Sequence, residues 1–358
     1  MSRMRFPFAI AALLFALPGL PIAGWAQLAP SPDAPPPASK APAQNPDDQS
    51  VATFKISANL VDLFFTVKDK QGLLVPHLNK NDCTISEDKV PQTLKSFTAE
   101  TDLPLTLGIL LDTSGSQQNV LRLEQDVGGQ FLERVLRKKD EAFLLSFDVD
   151  VDLLQDYTNS PRLLTRAMNK AEINTAGGNG AGGIPGAGGG TVPTVGDPKG
   201  TLLYDAVFLA SNEKMSQETG RKAMILLTDG EDEGSRVKIT EAIAAAQKSN
   251  VILYTILIAD RQFYGYGGMG GGFGYSGYSA MKKMTEETGG RLIDVGNNGK
   301  KLEDAFTQIE DELRTQYVAT YASTNAKLDG TFRKLSVECG NGSKVQVRRG
   351  YYAINQGN

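Results

Sequence analysis

Residues 105–116 read Leu105-Thr106-Leu107-Gly108-Ile109-Leu110-Leu111-Asp112-Thr113-Ser114-Gly115-Ser116. The apolar run up to Leu111 is the pattern of a buried strand. A carboxylate, Asp112, and two hydroxyls, Ser114 and Ser116, then follow at alternate positions, just where that strand should end. In open α/β sheets, ligands bind outside the carboxyl ends of the strands. Oxygen-only donors of this kind suit a hard divalent cation, Mg²⁺ first and Mn²⁺ or Ca²⁺ next. Asp and Ser are also common turn and cap residues, so Ser116 could instead cap the helix that follows.

Two later segments bear on that choice. Lys199-Gly200-Thr201-Leu202-Leu203-Tyr204-Asp205-Ala206 puts Thr201 at a helix start, and Met224-Ile225-Leu226-Leu227-Thr228-Asp229-Gly230 is a second buried strand ending in a carboxylate. Three oxygen-bearing segments in this order, each at the edge of an α/β element, resemble the von Willebrand factor A domain and its metal-ion-dependent adhesion site. Carried over position by position, the resemblance implies that Ser114 and Ser116 are direct hydroxyl ligands. Thr201 would be the third hydroxyl, direct or through water. Asp112 and Asp229 would be carboxylates that hold the ion directly or through bound water. None of the five is substituted.

Around these segments, residues 104–316 alternate strands and helices, which predicts a doubly wound α/β fold with a mostly parallel sheet and helices on both faces. A helix is expected over about 116–137, with Val120, Leu123, Val127, Phe131 and Val135 on one face. Glu141 to Phe147, Ala223 to Leu227 and Val251 to Ile258 read as strands, the last two as continuous apolar runs covered on both sides. A last helix over about 300–316 carries Leu302, Phe306, Ile309 and Leu313 on one stripe. Two glycine-rich inserts, Gly177 to Gly190 and Tyr264 to Tyr278, lack Gly-Lys-Ser and Gly-Lys-Thr and so do not read as phosphate loops. They read as mobile loops, or, for the Tyr-bearing one, as aromatic contacts offered to a partner.

β-rich segments flank this domain, at 51–103 and 317–358. Leu63, Phe65 and Val67 alternate with Phe64, Thr66 and Lys68, as in a half-buried strand. The passages Val75-Pro76-His77-Leu78, Asp82-Cys83-Thr84-Ile85-Ser86-Glu87-Asp88 and Gln92-Thr93-Leu94-Lys95-Ser96-Phe97 resemble a β module preceding the A domain in a family of secreted bacterial proteins called VWFA-related, frequent in Acidobacteria. The chain departs from that pattern at Cys83, where an aromatic is usual, and at Lys89, where a turn Gly is usual. Tyr317 to Tyr321, Phe332 to Glu338 and Lys344 to Tyr351 are candidate strands of the C-terminal segment, whose end, Val347-Arg348-Arg349-Gly350-Tyr351-Tyr352-Ala353, also resembles the family. The entering and leaving chain can lie close together, so the two segments are expected to form one discontinuous sandwich. The chain has two Cys, Cys83 and Cys339, one in each segment. In an exported chain they read as a disulfide, the other reading being two separately buried thiols.

Export itself is read from the N-terminus. Arg3 and Arg5, an apolar stretch from Phe6 to Leu17, and Gly24-Trp25-Ala26 as a small-x-small site predict a signal peptide over 1–26. Cleavage would remove Trp25, the only Trp. Residues 27–50, rich in Pro, Ala and Ser, read as a disordered linker. No other 18-residue apolar run exists, so the mature chain is expected to have no transmembrane segment and to be periplasmic or secreted.

Composition narrows the chemistry. A net charge of −4 with no basic stripe leaves no electrostatic case for nucleic acid. The acidic run Asp229-Gly230-Glu231-Asp232-Glu233 could raise cation affinity, but reads first as a solvated loop. His77 is the only His and falls in a β segment far from the oxygen-bearing ones, which removes His-based triads and His-rich zinc sites. The reading is a secreted, non-enzymatic binding protein. As the resemblance implies, a partner protein's Asp or Glu would complete the Mg²⁺ coordination. The alternatives are a metal-independent assembly or scaffold protein of the cell envelope and, third, a metal-dependent hydrolase.

Overall fold

The computed structural model describes residues 60–99, 103–174, 200–259, 277–340 and 342–354. The expected signal peptide, the linker, the first glycine-rich insert and nearly all of the second lie outside the described residues. Four strands come first: β1 (Leu60–Lys68), β2 (Cys83–Glu87), β3 (Val90–Gln92) and β4 (Leu94–Ala99). β2 and β3 form a hairpin whose two-residue turn puts Asp88 at φ 48° and Lys89 at φ 70°. Both residues are in the left-handed conformation that such tight hairpin turns require, so the turn forms with Lys89 where a Gly would be unstrained.

A six-stranded sheet follows, built from β5 (Leu105–Asp112), β6 (Glu141–Phe147), β7 (Val151–Thr158), β8 (Arg221–Thr228), β9 (Ile252–Leu257) and β10 (Leu292–Asp294). Its order is β10-β9-β8-β5-β6-β7. All neighbours are parallel except the edge strand β7, which runs antiparallel to β6. β5 and β8 are buried along their whole length because helices cover both faces. Among the described residues six helices do so: α1 (Leu121–Val135), α2 (Pro161–Met168), α3 (Leu203–Leu209, continued by a wider turn over Ala210–Met215), α4 (Ile239–Lys248), α5 (Gly277–Thr288) and α6 (Gly299–Arg314). Leu107, Ile109 and Leu111 of β5 point into the core under α1, α2 and α6, where Phe131 stacks on Phe306 with ring centres 4.5 Å apart. Leu110 points the other way, into the core under α3, α4 and α5. The doubly wound α/β fold is therefore present, with successive residues of one strand feeding two cores.

The first helix is shorter than its apolar period suggests. A 3-10 turn covers Gly115–Gln117 and α1 begins only at Leu121. Ser116 caps neither: α1 starts without a side-chain cap, and Ser116 Oγ meets Ser114 Oγ instead. Leu123 is only partly buried, while Glu124 and Gln125 are fully buried on the helix's inner face.

After α6 come β11 (Tyr317–Ala322), β12 (Phe332–Cys339), β13 (Lys344–Val347) and β14 (Gly350–Tyr352). These join the first four strands in two antiparallel sheets, ordered β13-β1-β11-β4 and β14-β12-β2-β3. The sheets share one apolar core that includes Leu63 and Phe65 of β1, Ile85 of β2, Tyr321 of β11 and Val337 of β12. Strands from both ends of the chain thus make one discontinuous β module. Cys83 and Cys339 are direct cross-strand partners, with Cα atoms 4.1 Å apart, and form a disulfide. Arg333 and Glu87, both almost fully buried, pair at 3.1 Å in the same module. Burial acts to raise Glu87, but hydrogen bonds from Ser323, Tyr321 and Tyr351 and the Arg333 charge outweigh it and hold the carboxyl below its ordinary value.

One expected strand, Lys344 to Tyr351, is two. The chain breaks at Arg348 and Arg349, so β13 and β14 fall in different sheets. The reason is a pair of tethers to the α/β domain. Arg348 Nη1 donates to Asn250 Oδ1 at 2.6 Å, and Arg349 N donates to the Glu287 carbonyl at 3.1 Å.

Candidate metal centre

β5 lies centrally, with β6 on one side and β8 on the other. Chain order reverses about it, so its carboxyl end is the switch point where such sheets leave a crevice. Asp112 is the last residue of β5 and is completely buried. Its Oδ1 accepts the Ser114 N–H at 3.0 Å, which bends the chain out of the strand. Its Oδ2 accepts the Thr228 hydroxyl at 2.6 Å, a contact from the end of the neighbouring strand β8. Ser114 Oγ and Ser116 Oγ stand 3.0 Å apart. Asp112, Ser114 and Ser116 are thus gathered in one turn.

Asp229 follows directly on β8 and is 1% exposed. Its Oδ1 accepts the Glu231 N–H at 3.2 Å. Gly230, at φ 85°, is packed against the start of α5, and its N–H donates to Thr228 Oγ1 at 2.9 Å. A Cβ on Gly277, the first residue of α5, would meet the Asp229 carbonyl at 2.8 Å, so only Gly fits there. Thr201 is buried and pairs backbone to backbone with Glu233, with N–O distances of 2.8 and 3.0 Å, which sets it beside the loop that leaves Asp229. The described residues on either side of the first insert, Asn174 and Gly200, adjoin the same loops: Asn174 N donates to the Thr113 carbonyl at 2.9 Å, and Thr201 follows Gly200.

Asp148 ties two of the three segments. Its Oδ2 accepts the Thr113 hydroxyl at 2.7 Å, and its carbonyl accepts the Leu202 N–H at 2.7 Å. Sequence reading passed over Asp148 and Thr228. Their signal was position: Asp148 stands one residue past the end of β6, and Thr228 closes β8. The acidic loop is less solvated than its composition suggests. Glu231 and Asp232 are half-buried, and Asp232 Oδ1 accepts the Tyr204 N–H at 3.0 Å and the Ser235 hydroxyl at 2.6 Å. Asp232 and Glu231 thereby serve the local fold, Glu231 by accepting the Gly277 N–H at 3.1 Å. His77 is exposed, in the irregular stretch between Leu74 and Lys80, at φ 70°.

The electrostatics of the pair are unfavourable without a cation. Burial first, and then repulsion from Asp229, push the Asp112 carboxyl up to about 7, with the Ser114 and Thr228 hydrogen bonds opposing only in part. Two buried carboxylates with two hydroxyls alongside are a donor set of hard oxygens, suited to a divalent cation whose charge would offset the repulsion. By the chemistry of their oxygens, Asp112, Ser114, Ser116 and Asp229 fit a metal of that class, while Thr201 is set nearby through its backbone pairing with Glu233. Among the described residues no cluster of three or more His, Cys, Asp or Glu side chains offers a direct ligand set, so hydroxyls are needed to complete this one.

Fold and site together define an α/β domain with an acidic, hydroxyl-bearing centre at its switch point. No family model matches the chain, and no curated protein matches it. Several solved structures are similar. The conserved hypothetical protein BatB from Bacteroides thetaiotaomicron is 17% identical over 58% of this chain and 97% of its own, with a TM-score of 0.41. Proximal thread matrix protein 1 from the mussel byssus, with a zinc-occupied MIDAS motif, is 15% identical over 64% of this chain and 50% of its own, with a TM-score of 0.44. An aerotolerance-related membrane protein from Bacteroides fragilis NCTC 9343 is 16% identical over 58% of this chain and 98% of its own, with a TM-score of 0.40. The chain spans about half the length of the mussel protein. With TM-scores below 0.5, these likenesses leave the functional reading to the chain's own residues.

Proposed function

We propose that this chain is an exported, non-enzymatic binding protein with a von Willebrand factor A-type domain, and that it engages a protein ligand through a metal-ion-dependent adhesion site. The observation that carries the reading is the Asp112-x-Ser114-x-Ser116 turn at the switch point, with buried Asp229 close enough to raise the Asp112 carboxyl. Asp112, Ser114, Ser116, Thr201 and Asp229 would hold the cation, Mg²⁺ first, with Mn²⁺ or Ca²⁺ as substitutes. When bound, the cation supplies a coordination position for an oxygen from outside, here a partner's Asp or Glu carboxylate. Asp112 is anchored by Ser114 N and Thr228 Oγ1, so its carboxylate is held in place before any partner arrives.

Export is supported by the signal-like N-terminus and by the Cys83–Cys339 disulfide, which persists in oxidising compartments. No helix of the described residues is long and apolar enough to cross a membrane. The test is binding in the presence and absence of chelator. A partner captured from envelope extract should be retained in Mg²⁺, be released by EDTA, and be lost with the Ser114→Ala, Ser116→Ala double variant. Retention in EDTA would favour the scaffold reading instead, and turnover in a hydrolase screen would favour an enzyme.

A further inference from the structure

Glu124 stands on the inner face of α1 and is completely buried. Neither of its carboxylate oxygens has a hydrogen-bond partner among the described residues. The two charges that act on it are Asp112 and Asp229, the carboxylates of the candidate metal centre. Gln117 lies seven residues earlier, in the turn leaving Ser116, and its Oε1 is likewise buried without a partner, while its Nε2 donates to the Ile258 carbonyl at 3.4 Å. Buried polar oxygens nearly always find a donor, so orphaned ones in a native interior call for an explanation. A carboxylate with neither donor nor counter-charge is the costlier case. Here the orphaned carboxylate is the one that feels both acids of the centre.

We propose that Glu124 is a third carboxylate of the metal centre, a positioning residue that accepts hydrogen bonds from ordered water around the cation and raises the site's affinity for divalent metal. The inference rests on the metal-binding reading above. Direct coordination is not the role, because the described Asp and Glu side chains form no three-membered ligand cluster. Outer partners of this kind fix the groups that do bind and typically change metal affinity by about 10- to 100-fold when removed. The competing account makes Glu124 a neutral acid that merely fills the core beside Leu121 and Val127.

The experiment uses the full mature chain, stripped with EDTA and titrated calorimetrically with Mg²⁺ and with Mn²⁺ alone. The proteins compared are the wild type, Glu124→Gln and Asp112→Ala, with thermal unfolding of each in EDTA. The Gln variant keeps the shape and removes the charge. Its metal affinity should fall about 10- to 100-fold, while its melting temperature in EDTA should stay level or rise. A purely structural role predicts wild-type affinity, and that result overturns the proposal. If Asp112→Ala abolishes binding while Glu124→Gln leaves it intact, only the Glu124 inference fails. If the wild type binds neither metal, or Asp112→Ala binds as the wild type does, the metal-centre reading fails and takes this inference with it. Glu124→Leu, judged by the same affinity criterion, serves should the Gln variant not fold.

Discussion

Replacing Asp112 by Asn should make the metal-free protein more stable at neutral pH, although Asp112 is a proposed ligand. The folded-state carboxyl titrates near 7, raised from 3.8 by burial and by Asp229. Such a raised acid carries its proton in the folded state over a range where the unfolded chain has already lost it. Between about pH 4 and 7 the folded state therefore binds more protons, and stability falls as pH rises. Above 7 the penalty is complete, and a rise of this size corresponds to a ceiling of roughly 4 kcal/mol. Asn carries no such penalty. Its Oδ1 can still accept the Ser114 N–H, but its amide must donate to Thr228 Oγ1, which now donates to Asp112 and accepts from Gly230 N. Reversing that bond costs about 1 kcal/mol, leaving a net gain of about 2–3 kcal/mol at pH 8. The assay is urea unfolding in EDTA at pH 5, 6, 7 and 8 for both proteins. The two curves should converge at pH 5 and diverge in favour of Asn by pH 8. Mg²⁺ at one hundred times its dissociation constant should then restore about 2.7 kcal/mol to the wild type and little to the variant. Parallel pH profiles in EDTA would refute the electrostatic argument.

Other outcomes follow from the same structure. Lys89→Gly should stabilise by about 1 kcal/mol, because Lys89 sits at φ 70° in the β2–β3 turn; equilibrium unfolding would show it. The double change Cys83→Ser, Cys339→Ser opens a link spanning 256 residues and should cost about 2–5 kcal/mol, read from unfolding midpoints under non-reducing conditions. Gly277→Ala forces a methyl onto the Asp229 carbonyl at 2.8 Å and should cost about 1–3 kcal/mol while weakening Mg²⁺ binding, measured by calorimetry. Intact-mass analysis of exported protein should find the first 26 residues removed, and with them the only Trp, Trp25.

The sheet was legible in the sequence because its central strands carry long, mostly apolar runs. Leu105 to Leu111 and Met224 to Leu227 are buried; Asp112 follows the first run directly, and Asp229 follows the second after Thr228. The discontinuous β module was legible from paired features at the two chain ends, Cys83 and Cys339 among them. The break at Arg348 and Arg349 was not, because it depends on Asn250 and Glu287, about 60 or more residues away in sequence, which no local period encodes. Asp148 escaped notice for a similar reason. An acid beyond a strand reads as an ordinary turn residue until the chain brings Thr113 and Leu202 to it.

Glu124 shows the limit from the other side. On α1 the apolar period selects Val127, Phe131 and Val135 correctly, and their burial follows from it. The same helical spacing puts Glu124 on the buried face, three residues before Val127, and a pattern reading treats that as a mismatch at a half-exposed position. The structure buries it nonetheless, among side chains that offer it no donor. A core position held by an unpaired acid lowers stability, so hydrophobic packing alone would favour Leu or Met there. The same holds for Asp112, buried at the end of a strand whose other residues are mostly apolar and repelled by Asp229. These local violations lie close enough for their charges to interact, at the one edge of the sheet where the topology leaves a crevice. Violations scattered through the fold would suggest poor packing, whereas violations gathered at a switch point are what a site built for a cation should look like.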